Sequence, residues 1–482
     1  MKKGLLYLMV SRIVWIASGF AIHVGLGRLL GPEQYGIFGV IISLISVTYL
    51  VLGNGIRQAI TKHIANDLTL AGAIKITGLK IQLVFSLTLG AAFFLLSKPI
   101  AISLGDDTLA SFIKLSALII PPTGIFFVYI GSLEGIKQFT KSATISMTYA
   151  FSKIIFVFPL VLLGLKVRGA IIGLILSVFC AALLGGYFCR GQTDEGHFDF
   201  PSLIKFAIPV WLFFVAMAVL MHMDILFAKS ILADNTKIGF YTSAQTLSRI
   251  IYFVSTAFSV VLLPSISGAI GDNNLELVKK YINQSLRYML MLLIPTCLII
   301  SATSGQLLTL FYGTAYAEAA YPLSILVFGI SFLSITRALS SILQGYGDPW
   351  TSMVVFSILV PLDVCLLLFM IPRFELLGAA LSTCMTCLTG LVILAICVYK
   401  KVRTLLSMRS LRNIIVASTV SYLAFTSLSL SGVLLPVYYL GLFSLYFVIL
   451  FMLREINRED ISLIKSIFPI FHRRQIQHEL PD

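Results

Sequence analysis

The chain has 482 residues, of which 58% are hydrophobic and 12% charged, and its formal net charge is +14. A soluble domain carries about 25% charged residues, so lipid must solvate most of this chain. The positive balance does not mark a nucleic-acid partner, because most Lys and Arg sit in short segments between apolar runs.

About 20 apolar residues cross a bilayer as a helix. Fourteen such runs are read along the chain: near 5–27, 36–53, 79–97, 111–130, 142–163, 169–189, 206–228, 239–264, 287–301, 322–343, 351–371, 376–399, 413–430 and 433–453. The first begins MKKGLLYLMVSRIVWIASGF, like a secretory leader. Arg12 interrupts its apolar core and no A-x-A-like cleavage site follows, so it reads as a retained span. The ninth run is short. Linkers near 54–78 and 265–286 are too short for a folded domain, and no soluble catalytic domain is expected. The tail after Leu453 mixes charges with Ile464, Ile467, Phe468 and Phe471. It reads equally as a segment on the inner membrane surface or as a disordered extension.

Charge tests this count. With the N-terminus inside, 23 of the 35 Lys and Arg fall in inside segments and 7 in outside segments; the other 5 lie within spans. That bias predicts an even number of spans, both termini cytoplasmic, and residence in the cytoplasmic (inner) membrane. The seven cysteines fall in or beside apolar runs, which gives no disulfide framework. Cys384 and Cys387 stand one turn apart within a span and read as small apolar residues, so no metal and no cofactor is expected.

The two halves echo each other at a shift of about 200 residues. Leu29-Leu30-Gly31-Pro32-Glu33-Gln34-Tyr35-Gly36-Ile37-Phe38 follows the first span, and Leu232-Ala233-Asp234-Asn235-Thr236-Lys237-Ile238-Gly239-Phe240-Tyr241 follows the seventh. Leu133-Glu134-Gly135 matches Leu343-Gln344-Gly345, and Gly169-Ala170 matches Gly378-Ala379. The expected architecture is an all-α membrane protein with two six-helix lobes. A pseudo-twofold axis along the membrane normal relates them, because six spans return the chain to its starting side. The divisions read are an N-lobe at 1–190, a C-lobe at 205–400, two further helices at 412–453 and a cytoplasmic tail at 454–482.

Seven ionisable residues fall within spans: Arg12, Lys114, Lys153, Asp224, Arg249, Arg337 and Asp363. Each costs about 2.5–3.5 kcal/mol at a helix centre and should face a bundle interior or a wet cavity. Five are cations and two are anions, so pairing cannot balance them, and a cavity of that sign attracts an anion such as phosphate. Lys114, near a span end, reads as snorkelling; Arg12 reads as snorkelling or cavity-lining. Lys153, Arg249 and Arg337 sit deeper and read as cavity-lining. Asp224 reads as a structural partner of Arg249 or as a site for a coupling cation. Asp363 reads as a partner of Arg337 or as a proton-coupling group. His23 and His222, near helix ends, read as interfacial polar residues. Pro159, Pro209, Pro264, Pro295 and Pro361 mark places where spans can bend.

Arg28-Leu29-Leu30-Gly31-Pro32-Glu33-Gln34-Tyr35-Gly36 resembles the RLLGPxxYG signature that follows the first helix of the polysaccharide transporter family. These are oligosaccharide-lipid flippases within the multidrug/oligosaccharidyl-lipid/polysaccharide exporter superfamily. Asp224 followed by Gly239-Phe240-Tyr241 is similar to the second-lobe pattern, although the family's Arg after that Asp is Ile225 here. The resemblance covers nearly the whole chain. It implies a V-shaped two-lobe fold, alternating access, and a polyprenyl-pyrophosphate-linked oligosaccharide, such as an O-antigen or capsule repeat unit, as cargo. It implies Arg12, Lys153 and Arg249 as cavity cations. Membrane lipids and a glycan polymerase machinery are the further partners expected.

Two other classes compete. A cation-coupled multidrug exporter of the same superfamily would be expected to carry an acidic cavity. A membrane-embedded glycan polymerase or glycosyltransferase would need a sizeable loop or a carboxylate cluster for acid–base work, and neither is seen. The chain therefore reads as a transporter with no catalytic residues. No P-loop is present, so direct use of ATP is not expected.

Overall fold

The computed structural model describes residues 2–191, 198–426, 435–456 and 460. Among the described residues there is no strand. The helices are α1 (Lys2–Leu52), α2 (Ile56–Asn66), α3 (Ala71–Leu95), α4 (Ser97–Ser103), α5 (Leu109–Ala117) and α6 (Ile120–Gly135). There follow α7 (Phe139–Leu160), α8 (Lys166–Phe188), α9 (Phe200–Leu232), α10 (Asn235–Gly271), α11 (Leu275–Ala302) and α12 (Ser304–Tyr312). The last four are α13 (Ala320–Gly345), α14 (Pro349–Val402), α15 (Met408–Thr426) and α16 (Leu435–Met452). Helix α1 holds two spans broken at Gly31 (φ 72, ψ 171), and α14 holds two broken at Glu375 (φ 50, ψ −126). Helices α5 and α6 share one span. The described residues thus carry the fourteen spans.

The helices outrun the apolar runs that announce them. The ninth span belongs to α11, which begins at Leu275 and carries Lys279, Lys280 and Arg287 before its apolar part. Much of the segments near 54–78 and 265–286 is helical rather than linker. Hydropathy falls at the membrane surface, whereas backbone hydrogen bonding has no reason to stop there. Residues 461–482 of the tail lie outside the described residues. Asp460 is bonded to Arg287 and Tyr288 at the start of the ninth span.

The repeat is visible in backbone detail. Positive φ recurs at Gly31 and Ala233, at Lys137 and Gly347, and at Lys166 and Glu375. A Cβ added to Gly135 would meet Ile64, and one added to Gly345 would meet Ile266 at nearly the same distance. Gly169 packs on the carbonyl of Leu160 as Gly378 packs on that of Met370. The first six spans pack mainly among themselves, as do spans seven to twelve, while α15 and α16 rest against α11 through Met291, Ile414, Tyr446 and Leu450.

The two halves meet closely at the end of the bundle that carries Arg28. Gly36 and Gly239 allow this approach: a Cβ on Gly36 would stand 1.8 Å from the Asn235 carbonyl oxygen, and one on Gly239 2.0 Å from that of Pro32. Lys229 Nζ, fully buried, donates to Asp106 Oδ2 at 3.0 Å and to Asn235 Oδ1 at 2.6 Å. Arg28 donates to the carbonyls of Leu310 and Phe311, and the Tyr316 hydroxyl donates to the Gly27 carbonyl at 2.7 Å. Burial opposes charge on the Asp106 carboxyl, but hydrogen bonds from Thr108, Lys229 and Asn235 outweigh it and hold the group down to about 2.

Candidate functional site

About 16 residues of helix, roughly 24 Å, separate Arg28 from Arg12 along the first span. Arg12 is reached by solvent and within electrostatic reach of Tyr49, Arg57 and Glu134. Its guanidinium lies 5.3 Å from the Trp15 ring centre. Lys153, on α7, is buried, with its ammonium 5.4 Å from the same ring and 5.2 Å from that of Tyr149. Gly19 on the first span lies beside it: a Cβ there would make ordinary contact with Lys153 Nζ at 3.8 Å. Arg337, on α13, lies over Tyr252 at 5.3 Å and donates to its hydroxyl; it is within electrostatic reach of Arg12 across the bundle. Arg249, on α10, donates to the Met221 carbonyl at 2.5 Å and to His222 Nδ1 at 3.3 Å.

Arg12 and Lys153 come from the first half of the chain and share Trp15, and Arg249 and Arg337 come from the second half. Arg337 is within long-range electrostatic reach of Arg12, and His23 within that of Lys153 and Arg249. None of the four makes an ion pair within 4 Å among the described residues, whereas Arg57 is paired with Glu134 at 2.8 Å. Lys114 lies apart, exposed beside Phe94.

The two acidic residues form a second group, inside the second half. Asp224 accepts from Tyr241 Oη at 2.8 Å, from Gln245 Nε2 at 3.0 and 3.1 Å, and from the Ile225 amide at 2.8 Å. Its hydrogen bonds therefore come from neutral donors, and Arg249 acts on it only through space. Asp363 Oδ1 accepts from Thr386 at 2.9 Å, while Oδ2 is buried with no hydrogen-bond partner among the described residues. The two carboxyls are within electrostatic reach of each other. Arg337 is bonded to Tyr252 and makes no ion pair with Asp363 among the described residues.

The histidines sit inside the bundle rather than at an interface. His23 Nδ1 is 3.0 Å from the Tyr35 hydroxyl, and His222 is buried against Arg249. Arginine only donates, so its contact makes His222 Nδ1 an acceptor and places any ring proton on Nε2. The aromatic partners of the cations were not singled out from sequence. Spacing of three and four residues, Arg12 to Trp15 and Tyr149 to Lys153, was available as a signal. No sequence signal links Tyr252 to Arg337. The described residues hold no cluster of three or more His, Cys, Asp and Glu suited to a metal, and all seven cysteines are free.

An apolar cavity of about 180 Å³ lies apart from the cations, between α10, α11, α12 and α16, lined by Leu247, Ile250, Ile299, Phe311, Tyr439 and Phe443.

Comparison with known proteins agrees with this architecture. An uncharacterized membrane protein of Methanocaldococcus jannaschii is 26% identical over 81% of this chain and 96% of its own length. A Shigella flexneri protein named "Putative O-antigen transporter" is 24% identical over 77% of this chain and 93% of its own. The solved structure of the lipid II flippase MurJ in an inward closed conformation superposes with a TM-score of 0.77, covering 94% of this chain and 99% of the flippase at 15% identity, a likeness of fold. The family model described as "Polysaccharide biosynthesis protein" matches residues 26–321. With its fourteen spans and that match over more than half its length, this multi-pass membrane chain belongs to the polysaccharide biosynthesis protein family.

Proposed function

We propose that this protein is a flippase that carries a polyprenyl-pyrophosphate-linked oligosaccharide across the cytoplasmic membrane by alternating access, without covalent chemistry. The observation that carries the reading is the group of Arg12, Lys153, Arg249 and Arg337, drawn from both halves and lacking carboxylate partners. An isolated charge costs several kcal/mol or more to bury, so the buried Lys153 and the partly exposed cations with it are sustained by water and by a passenger of opposite sign. Moving a sugar pyrophosphate through hydrocarbon is costly for the same reason, and a cationic groove replaces its lost hydration. The lipid tail stays in the bilayer between the lobes. Relatives and structural neighbours named as an O-antigen transporter and a lipid II flippase support this cargo class.

In this reading the moving bodies are the lobes at 1–190 and 205–400. The helices at 412–453 flank the second lobe, and the tail from 454 lies on the cytoplasmic side with the N-terminus. Asp224 and Asp363 supply the coupling site: a buried carboxyl oxygen without a donor has a use for a proton or a small cation. A cationic drug as cargo is disfavoured by the sign of the cavity. The glycan polymerase machinery is the downstream partner.

Deletion of the gene tests the reading. Lipid-linked glycan is expected to accumulate on the cytoplasmic leaflet, measured by protection from an impermeant label on intact cells. Undiminished surface glycan together with no accumulation would overturn it.

A further inference from the structure

Two of these cations lie against rings where carboxylates would be expected, and a third, Arg337, is bonded to a ring hydroxyl. Arg12 and Lys153 lie against Trp15, Lys153 also against Tyr149, and Arg337 against Tyr252. The Lys153–Trp15 and Arg337–Tyr252 contacts join different helices, so helical spacing does not produce them. Elsewhere in the chain Arg57, Lys229 and Lys237 are satisfied by Glu134, Asp106 and Glu375. The chemical difference is between holding a charge and cancelling it. A ring face attracts a cation by about 0.5–2 kcal/mol and leaves its full charge to act on a third body. A carboxylate fixes the cation more strongly but removes the field that draws an anion.

Trp15 serves two cations at once. Because both lie against one ring, the Arg12 guanidinium and the Lys153 ammonium are at most about 11 Å apart. The outer oxygens of a pyrophosphate are ~5 Å apart, and a charge-assisted hydrogen bond adds about 2.8 Å at each end. One pyrophosphate can therefore engage both groups through side-chain rotation alone, each phosphate taking one cation, whereas a monophosphate offers the second cation no phosphate of its own. The ring itself is braced: Tyr49 stacks on it at 6.2 Å and 29°, and Phe127 packs on Tyr49 at 4.7 Å.

We infer that Trp15 is the positioning residue of a two-phosphate clamp. It holds Arg12 and Lys153 side by side in the empty carrier and yields them to a lipid pyrophosphate, which sets the preference for pyrophosphate over monophosphate lipids. The inference rests on the reading that the cargo carries phosphate, and it assigns the discrimination to one ring.

The chain has three tryptophans, so Trp211→Phe with Trp350→Phe leaves Trp15 as the sole indole reporter. In the purified full-length protein, polyprenyl pyrophosphate is expected to change Trp15 emission saturably as the cations leave the ring. A labelled-lipid assay should give about tenfold tighter binding of polyprenyl pyrophosphate than of polyprenyl monophosphate. Trp15→Phe keeps a ring and should retain most of that preference; Trp15→Leu should lose it, binding both lipids alike. An unchanged Trp15 emission at saturating lipid, or a Trp15→Leu protein that keeps the tenfold preference, overturns the clamp and leaves the flippase reading standing. Failure of either lipid to bind the unaltered protein overturns both. The emission experiment uses native Trp15, so it does not depend on how the Leu variant folds.

Discussion

Replacing Asp106 with Ala should loosen the contact between the two halves at the Arg28 end. Lys229 is fully buried there and its ammonium is 3.0 Å from Asp106 Oδ2, the only carboxylate it bonds among the described residues. Removing one member of a wholly buried pair costs about 3–5 kcal/mol, because the other charge is stranded. Asp106 stands in a connecting segment at the edge of the bundle, with 12% of its side chain exposed, and Asn235 remains as a neutral acceptor. An intermediate cost of about 2 kcal/mol follows, which converts to a shift of about 30-fold toward forms with the halves parted. Spin labels at Leu96 and Phe374, one on each half and both exposed, would report it as a longer distance by pulsed electron resonance. A double variant, Asp106→Asn with Lys229→Met, removes the stranded charge and should shift the distance less than Asp106→Ala alone. The sign with pH follows from the lowered Asp106 carboxyl: the contact is at full strength above about pH 4 and weakens as pH falls toward 2. A distance distribution in Asp106→Ala that matches the unaltered protein would refute the reasoning.

Other outcomes follow from the same geometry. Gly239→Ala places a methyl about 2.0 Å from the Pro32 carbonyl oxygen, so the same labels should report parted halves, with overpacking of about 1–3 kcal/mol opposing closure. Lys153→Ala and Arg249→Ala should each lower glycan-lipid transport in proteoliposomes by tenfold or more at equal insertion; full-rate transport in both would remove the anion argument. Asp363→Asn should leave lipid binding in place but abolish the response of transport to an imposed sodium or proton gradient. A response equal to that of the unaltered protein would exclude Asp363 from coupling.

The sequence by itself determined the solvent and the span count. Hydropathy and the distribution of Lys and Arg are one-dimensional quantities, and membrane insertion reads them in one dimension, so fourteen spans emerged without contacts. The repeat was legible for a related reason. Gly31, Gly36, Gly135 and Gly169, with their counterparts, answer local needs for positive φ or close approach, and local needs leave local signatures. Helix ends were not legible, as α11 shows, because a helix continues past the membrane surface where hydropathy falls. Only the tertiary structure decided the partners of the buried charges. Asp224 takes its hydrogen bonds from Tyr241 and Gln245 and Arg337 takes Tyr252, where oppositely charged mates had been natural candidates. A side chain's partner depends on how helices are rotated and how far apart they stand, and neither is written in the apolar content of a span.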